Sequence, residues 1–222
     1  MLLAAVSLQG EIMNRTTLIF IRHGETVANR ENIFRGRMDF PLNSNGIEQA
    51  RCLADALARF KIDVLYSSPL SRALDTAKPI ATVQNIEINI EEKFTNISLG
   101  EWEGVPHSEI AEKFPAQYRL WLTEPERLEI PGGEKLSEVQ RRSVEAVEEI
   151  VNKHLNCTVA IVSHRAVLKP LFAGLLTIAE PYFWKIHIDN AAYSIVYYSK
   201  LQGYTLYQSN CNQHLNDFVY EG

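Results

Sequence analysis

No stretch of this sequence comes near the ~20 consecutive apolar residues that a helix needs to cross a bilayer, so a membrane partner is not expected. Positive charge is also in short supply. Lys and Arg number 22 against 27 Asp and Glu, a formal charge of −5, which argues against binding nucleic acid through bulk electrostatics. Any anion site must therefore be a local gathering of cations. Cysteine is scarce: Cys52, Cys157 and Cys211 are odd in number and irregularly spaced, so neither a disulfide framework nor a zinc cluster is predicted, and a reducing cytoplasm fits best. No pair of histidines has metal-ligand spacing on a helix, and no Walker or dinucleotide glycine pattern occurs, so neither a metal nor a nucleotide cofactor is expected. Repeats and low-complexity tracts are absent as well.

What is present is ordinary for a globular chain of 222 residues: 46% apolar and 22% charged. Residues 13–222 are expected to form one domain. The apolar start, Met1 to Leu8, has no preceding basic residue, and Gln9-Gly10-Glu11 follows it rather than a small-residue cleavage site, so export is not expected. Residues 1–12 read as a disordered extension ahead of Met13.

The chain is organised around Thr17 to Asn29. Leu18 to Ile21 is a short, β-branched apolar run that predicts a buried strand, and it stops at Arg22-His23-Gly24. That puts a fixed cation and an imidazole at the carboxyl edge of a sheet, where open α/β folds hold ligands. Glu25, Thr26 and Asn29 add polar groups close behind. A loop containing Arg35 and Arg37 follows. Asn43, Ser44 and Asn45 are cap candidates for a helix whose apolar positions are Ile47, Ala50, Ala54, Leu57 and Ala58. A strand over Ile62–Tyr66 leads into Ser67-Ser68-Pro69 and a helix carrying Arg72 in its first turn, where an arginine fork and free backbone donors suit phosphate. Pro79 should end or kink that helix.

Residues 86–90 alternate as a strand, and Phe94 to Gly104 contains Gly100, Trp102, Glu103 and Gly104. Residues of about 105–135 are charged, aromatic and turn-rich, predicting short helices that cap the sheet. From Leu136 an amphipathic helix presents Arg141 and Arg142 on its solvated face. Cys157 to Val162 is a second buried strand, ending in Ser163-His164-Arg165. Phe183–Tyr198 and Tyr204–Tyr207 predict two closing strands joined by a hairpin near Gln202-Gly203.

The strand-end Arg22-His23-Gly24-Glu25-Thr26 with Asn29, the Ser67-Ser68-Pro69-Leu70 segment with Arg72, and the second strand-end His164 together resemble the signatures of the histidine phosphatase superfamily, which includes the phosphoglycerate mutases. The match runs from Thr17 to about Tyr198. The resemblance implies a three-layer α/β/α sandwich with a mainly parallel sheet and a small helical cap. It also implies a metal-independent phosphomonoesterase of the histidine acid phosphatase type, in which His23 takes up the phosphoryl group while Arg22, Arg72, His164 and Asn29 bind its oxygens. The substrate would be a small phosphorylated metabolite of the phosphoserine, phosphosugar or phosphoglycerate class. Pro131-Gly132-Gly133-Glu134, Phe183-Trp184, Asp189 to Ser194 and His214-Leu215 are similar to metal-independent phosphoserine phosphatases.

Four positions depart from the family pattern. Asn96 stands where the proton donor to the leaving group is usual; an amide can hydrogen-bond a substrate oxygen, which keeps Asn96 among the expected substrate-binding residues, but it cannot deliver a proton, a service worth ~10²–10⁴-fold. Glu101 and Glu25 are the nearest substitutes by sequence. Arg165 stands where glycine is usual, and Arg35 and Arg37 stand where small or aromatic residues are usual. A bulky Arg165 either narrows the pocket or adds a cation, whereas Arg35 and Arg37 fit either selection of a carboxylate or second phosphate or a solvated loop. A phosphoglycerate mutase-type transferase is the alternative, although the chain looks too short for the mutase insertion. A binding protein that lost turnover with Asn96 is the third reading, and a homodimer stays open.

Overall fold

The computed structural model describes residues 15 to 217. The extension expected at residues 1–12 lies outside them.

Among the described residues six strands form one sheet: β1 (Thr16–Arg22), β2 (Val64–Ser67), β3 (Ile88–Ile90), β4 (Thr158–Ser163), β5 (Tyr193–Ser199) and β6 (Gly203–Cys211). Their order is β3-β2-β4-β1-β5-β6. β1 to β4 are mutually parallel, and only β5 runs against them, pairing antiparallel with β1 and β6. The sheet is therefore mainly parallel, as expected.

Alternation along β1 shows why the sheet is covered on both faces. Leu18 and Phe20 pack against Val147, Ile150, Leu168 and Phe172, which belong to α6 (Leu136–Lys153) and α7 (Arg165–Leu175). Ile19 and Ile21 point the other way, onto Leu53 and Leu57 of α2 (Ser44–Leu57) and Ala73, Ala77 and Ile80 of α3 (Ser71–Gln84). A strand buried on both faces reads as a continuous apolar run. Each large side chain so buried contributes about 1.5–3 kcal/mol, which fixes register and with it the direction of everything at the strand ends.

The remaining helices are α1 (Val27–Arg30), α4 (His107–Lys113) and α5 (Pro115–Thr123). The last two, with a 3-10 turn at Pro125–Arg127, form the helical cap. Their core is separate, built around Phe34, Trp102, Ile110, Trp121 and Phe183.

Several local expectations shift. Asn43 does cap α2, accepting from the Gly46 amide at 2.8 Å. Ile47, however, is exposed, as is Ala58, because the buried face runs through Ala50, Leu53, Ala54 and Leu57. Pro69 lies just ahead of α3, which starts at Ser71, and Pro79 sits inside that helix rather than ending it. The apolar face of α3 holds it on the sheet past the missing amide, and closure comes at Asn85, whose φ of 54° is left-handed. Arg142 is not on a solvated face: it forms a two-pronged ion pair with Glu134 at 2.7 and 3.0 Å. The stretch before Tyr193 holds a 3-10 turn at Phe183–Lys185, and β5 begins only at Tyr193.

Candidate phosphoryl-binding site

β4 lies directly between β1 and β2, and Arg22 pairs with Ser163 in parallel register. His23 and His164 are the next residue on each strand, so both imidazoles emerge side by side at one carboxyl edge. Their ring centroids are 5.1 Å apart, and both residues are buried. The turn after His23 is held by contact with α2. An ideal Cβ at Gly46 would stand 2.1 Å from the Glu25 carbonyl oxygen, so only glycine admits this crossing. Gly46→Ala is expected to cost about 1–3 kcal/mol of stability by overpacking. A lowered urea midpoint together with reduced turnover would check it, because the loop pushed aside carries His23.

The imidazoles have defined proton positions. His23 Nδ1 is 2.7 Å from the Gly24 carbonyl oxygen, which can only accept, so Nδ1 carries the hydrogen and Nε2 keeps its lone pair. Burial, then the positive fields of Arg72, Arg22 and Arg35, holds His23 well below the usual imidazole range. Burial and Arg72 lower His164 in the same way. His164 Nε2 meets Ser68 Oγ at 2.8 Å, while its Nδ1 is buried with no hydrogen-bond partner among the described residues. Both rings are neutral at pH 7. A lowered pKa removes function only as pH falls through it, so kcat/KM for an activated aryl phosphate is expected to vary less than about threefold between about pH 6.5 and 8. A buffered pH series checks this.

Arginines surround the pair. Arg22 is buried, and its Nη1 donates to the Ile188 carbonyl at 2.8 Å. Arg72 is fully buried, its pKa drawn down to about 10, mainly by burial. Its fork is engaged with the loop above: Nη1 donates to Met38 O at 2.9 Å and Nη2 to Gly36 O at 3.0 Å. Its Nε has no hydrogen-bond partner among the described residues. The donors expected free at the start of α3 are occupied, since the Asp39 carboxylate accepts from the Ser71 amide and hydroxyl at 2.9–3.0 Å.

An inner cavity of about 40 Å³ gathers Arg22, His23, Arg35, Asn96, His164 and Arg165. It adjoins an outer cavity of about 550 Å³. Arg35, His107, Trp121 and Arg165 line both. Three predicted site residues do not line either cavity. Arg72 approaches from behind the Gly36–Met38 loop. Asn29 is buried under the turn, its Oδ1 accepting from the Thr26 amide and hydroxyl at 2.9 and 2.8 Å. Arg37 lies on the outside, paired with Glu134 at 3.3 Å. The nearest substitutes for the acid are also elsewhere. Glu25 is fully buried as a brace for Arg30 and Asn43, and Glu101 is exposed.

Sequence reasoning missed Ser68, His107 and the aromatic wall of Trp121 and Trp184. Ser68 belongs to the Ser67-Ser68-Pro69-Leu70 segment, but the partner of its hydroxyl is found only in three dimensions. Among the described residues no cluster of three His, Cys, Asp or Glu could hold a metal ion, and no helix is long and apolar enough to cross a membrane.

Two neutral strand-end imidazoles set among buried arginines define a class of protein: an α/β fold that handles phosphoryl groups. The chain belongs to the histidine phosphatase superfamily, branch 1, which it matches over residues 18–211. It is 36% identical over 204 residues to phosphoserine phosphatase 1 of Hydrogenobacter thermophilus, covering 92% of this chain and 96% of that one. It is 35% identical over 164 residues to a metal-independent phosphoserine phosphatase of Arabidopsis thaliana, covering 71% and 67%. Among solved structures it resembles a phosphoserine phosphatase mutant from Entamoeba histolytica in complex with phosphoserine, with a TM-score of 0.81, 30% identity, and 90% and 99% of the two chains covered.

Proposed function

We propose that this protein is a metal-independent phosphomonoesterase that hydrolyses a small phosphorylated metabolite with a second anionic group, through a phosphohistidine at His23. The observation that carries the reading is the His23 ring itself: its hydrogen is held on Nδ1 by the Gly24 carbonyl, leaving Nε2 an unprotonated nucleophile beside the arginines. Nε2 attacks phosphorus in line with the leaving oxygen, and the charge spread over the equatorial oxygens is met by Arg22 and Arg72. Arg72 reaches them by exchanging a loop carbonyl for a phosphoryl oxygen. Water then cleaves the phosphohistidine.

The second anion follows from Arg35 and Arg165, which line the passage from the inner to the outer cavity. A carboxylate a few bonds from the phosphoryl group would meet them there. Phosphoserine and phosphoglycerate derivatives have that shape, and solved relatives include the phosphoserine complex above and a mycobacterial glucosyl-3-phosphoglycerate phosphatase. The test is steady-state hydrolysis of p-nitrophenyl phosphate, phosphoserine and 3-phosphoglycerate in EDTA, with His23→Ala as control. The reading expects turnover of all three, lost in the variant. Transfer of phosphate between phosphoglycerates without release would instead identify a mutase.

A further inference from the structure

Among the described residues, those that line the inner cavity bring basic and neutral polar groups but no carboxyl. The nearby acids are engaged elsewhere. Asp39 is bound to Ser71 and lies 3.6 Å from Arg72; Glu103 accepts from the Leu99 and Arg37 amides; Glu134 is tied to Arg142 and Arg37. Glu31 lines only the outer cavity, and His107 is stacked on Phe34 at 3.8 Å. His23 and His164 are neutral. Among the described residues, no side chain lining this cavity is a carboxylic acid.

Asn96 is the side-chain amide lining the cavity, and its orientation is fixed. Its Nδ2 donates to the Gly36 carbonyl at 2.8 Å, the oxygen that also accepts from Arg72, and turning the amide over would set two oxygens face to face. Arg37 Nε holds the Asn96 backbone carbonyl at 3.1 Å. Oδ1 is thus the end of the amide that the Gly36 carbonyl leaves without a partner, in a residue that lines the cavity. It is buried, in a residue only 7% exposed, and has no hydrogen-bond partner among the described residues. A buried acceptor without a donor is unfavourable until a ligand supplies one. A phosphomonoester dianion has only acceptor oxygens. The monoanion has one P–OH.

We infer that Asn96 receives a singly protonated phosphoryl group, and that the substrate itself carries in the proton its leaving group needs. The inference rests on the hydrolase reading. His23 Nε2 forms a bond to phosphorus, the bond from phosphorus to the bridging oxygen breaks, and its electron pair stays on that oxygen. The oxygen takes the hydrogen from P–OH and leaves as the alcohol. The histidine is left bearing a PO₃ dianion. Water then attacks that phosphorus, the phosphorus–Nε2 bond breaks with its electron pair returning to Nε2, both water hydrogens leave on dihydrogen phosphate, and neutral His23 is restored. The arginines bind the dianion as well, but kcat/KM counts the protons of the transition state against free reactants, so the requirement shows in the pH profile.

The test compares an alkyl phosphate with p-nitrophenyl phosphate, whose leaving group needs little protonation. Above the second phosphate pKa near about 6, alkyl-ester kcat/KM is expected to fall about tenfold per pH unit, while that for the aryl ester stays near level. Asn96→Glu is expected to flatten the alkyl profile and to raise the alkyl-to-aryl ratio at about pH 8 by about 10²-fold. Asn96→Leu, similar in volume, is expected to lower that ratio at about pH 6 by about tenfold or more. An alkyl profile level from about pH 6.5 to 8 in the unmodified protein would overturn the inference by showing an acid on the protein, with His107→Gln the first variant to locate it. An unchanged ratio in a folded Asn96→Leu protein would overturn the role of Asn96. Failure of the hydrolase reading looks different, since the aryl ester itself would then go uncleaved.

Discussion

His23→Ala is expected to lower kcat by at least about 10⁴-fold on every phosphomonoester while phosphate binding persists, because it removes the atom that bonds to phosphorus and leaves the arginines in place. The effect is large because nothing nearby can take over. His164 is 5.1 Å away, centroid to centroid, and its Nε2 faces Ser68. Steady-state rates and a phosphate-binding titration on the same preparation check both halves. Equal loss of turnover and binding would mean that the ring holds the pocket together.

Arg72→Lys is the second large effect, expected at about 10²–10³-fold in kcat/KM, since an ammonium keeps the charge but cannot bridge two oxygens. Arg72 also ties the Gly36 and Met38 carbonyls to α3, so part of the loss would come from a loosened loop. A thermal unfolding curve separates the two. A variant of unchanged stability with a near-native rate would show that Arg72 serves the loop and not the phosphoryl group.

The strand-end histidines are legible in the sequence because β1 and β4 are buried on both faces, and such strands write themselves as unbroken apolar runs. Their adjacency follows from sequence only through the family resemblance; the parallel register of Arg22 with Ser163 supplies the physical reason. What stays hidden depends on groups far apart along the chain. Ile47 fits a helical period, yet it is exposed because the sheet lies a little to one side of that stripe. Arg142 looks like any helix-surface cation until Glu134 is found beside it. Pro79 obeys its local rule only weakly, since burial of Ala73, Ala77 and Ile80 outweighs one lost hydrogen bond. Asn29 and Arg37 lie behind and outside the cavities, distinctions that spacing along the chain cannot draw.

Asn96 is the instructive case. Sequence shows an amide where an acid is usual and reads it as a deficit. The structure fixes its Nδ2 on the Gly36 carbonyl and leaves Oδ1 without a partner among the described residues, and from that the proposal of a protonated phosphoryl group starts.

The most direct test of the account is to trap the covalent intermediate. A labelled phosphomonoester is mixed with the protein, quenched in alkali within a turnover, and the digest is analysed by mass spectrometry. The account predicts one phosphoryl group on His23, stable to alkali, lost in acid, and absent from His23→Ala. Rapid hydrolysis with no label on His23 at any quench time, or label on another residue, would contradict it.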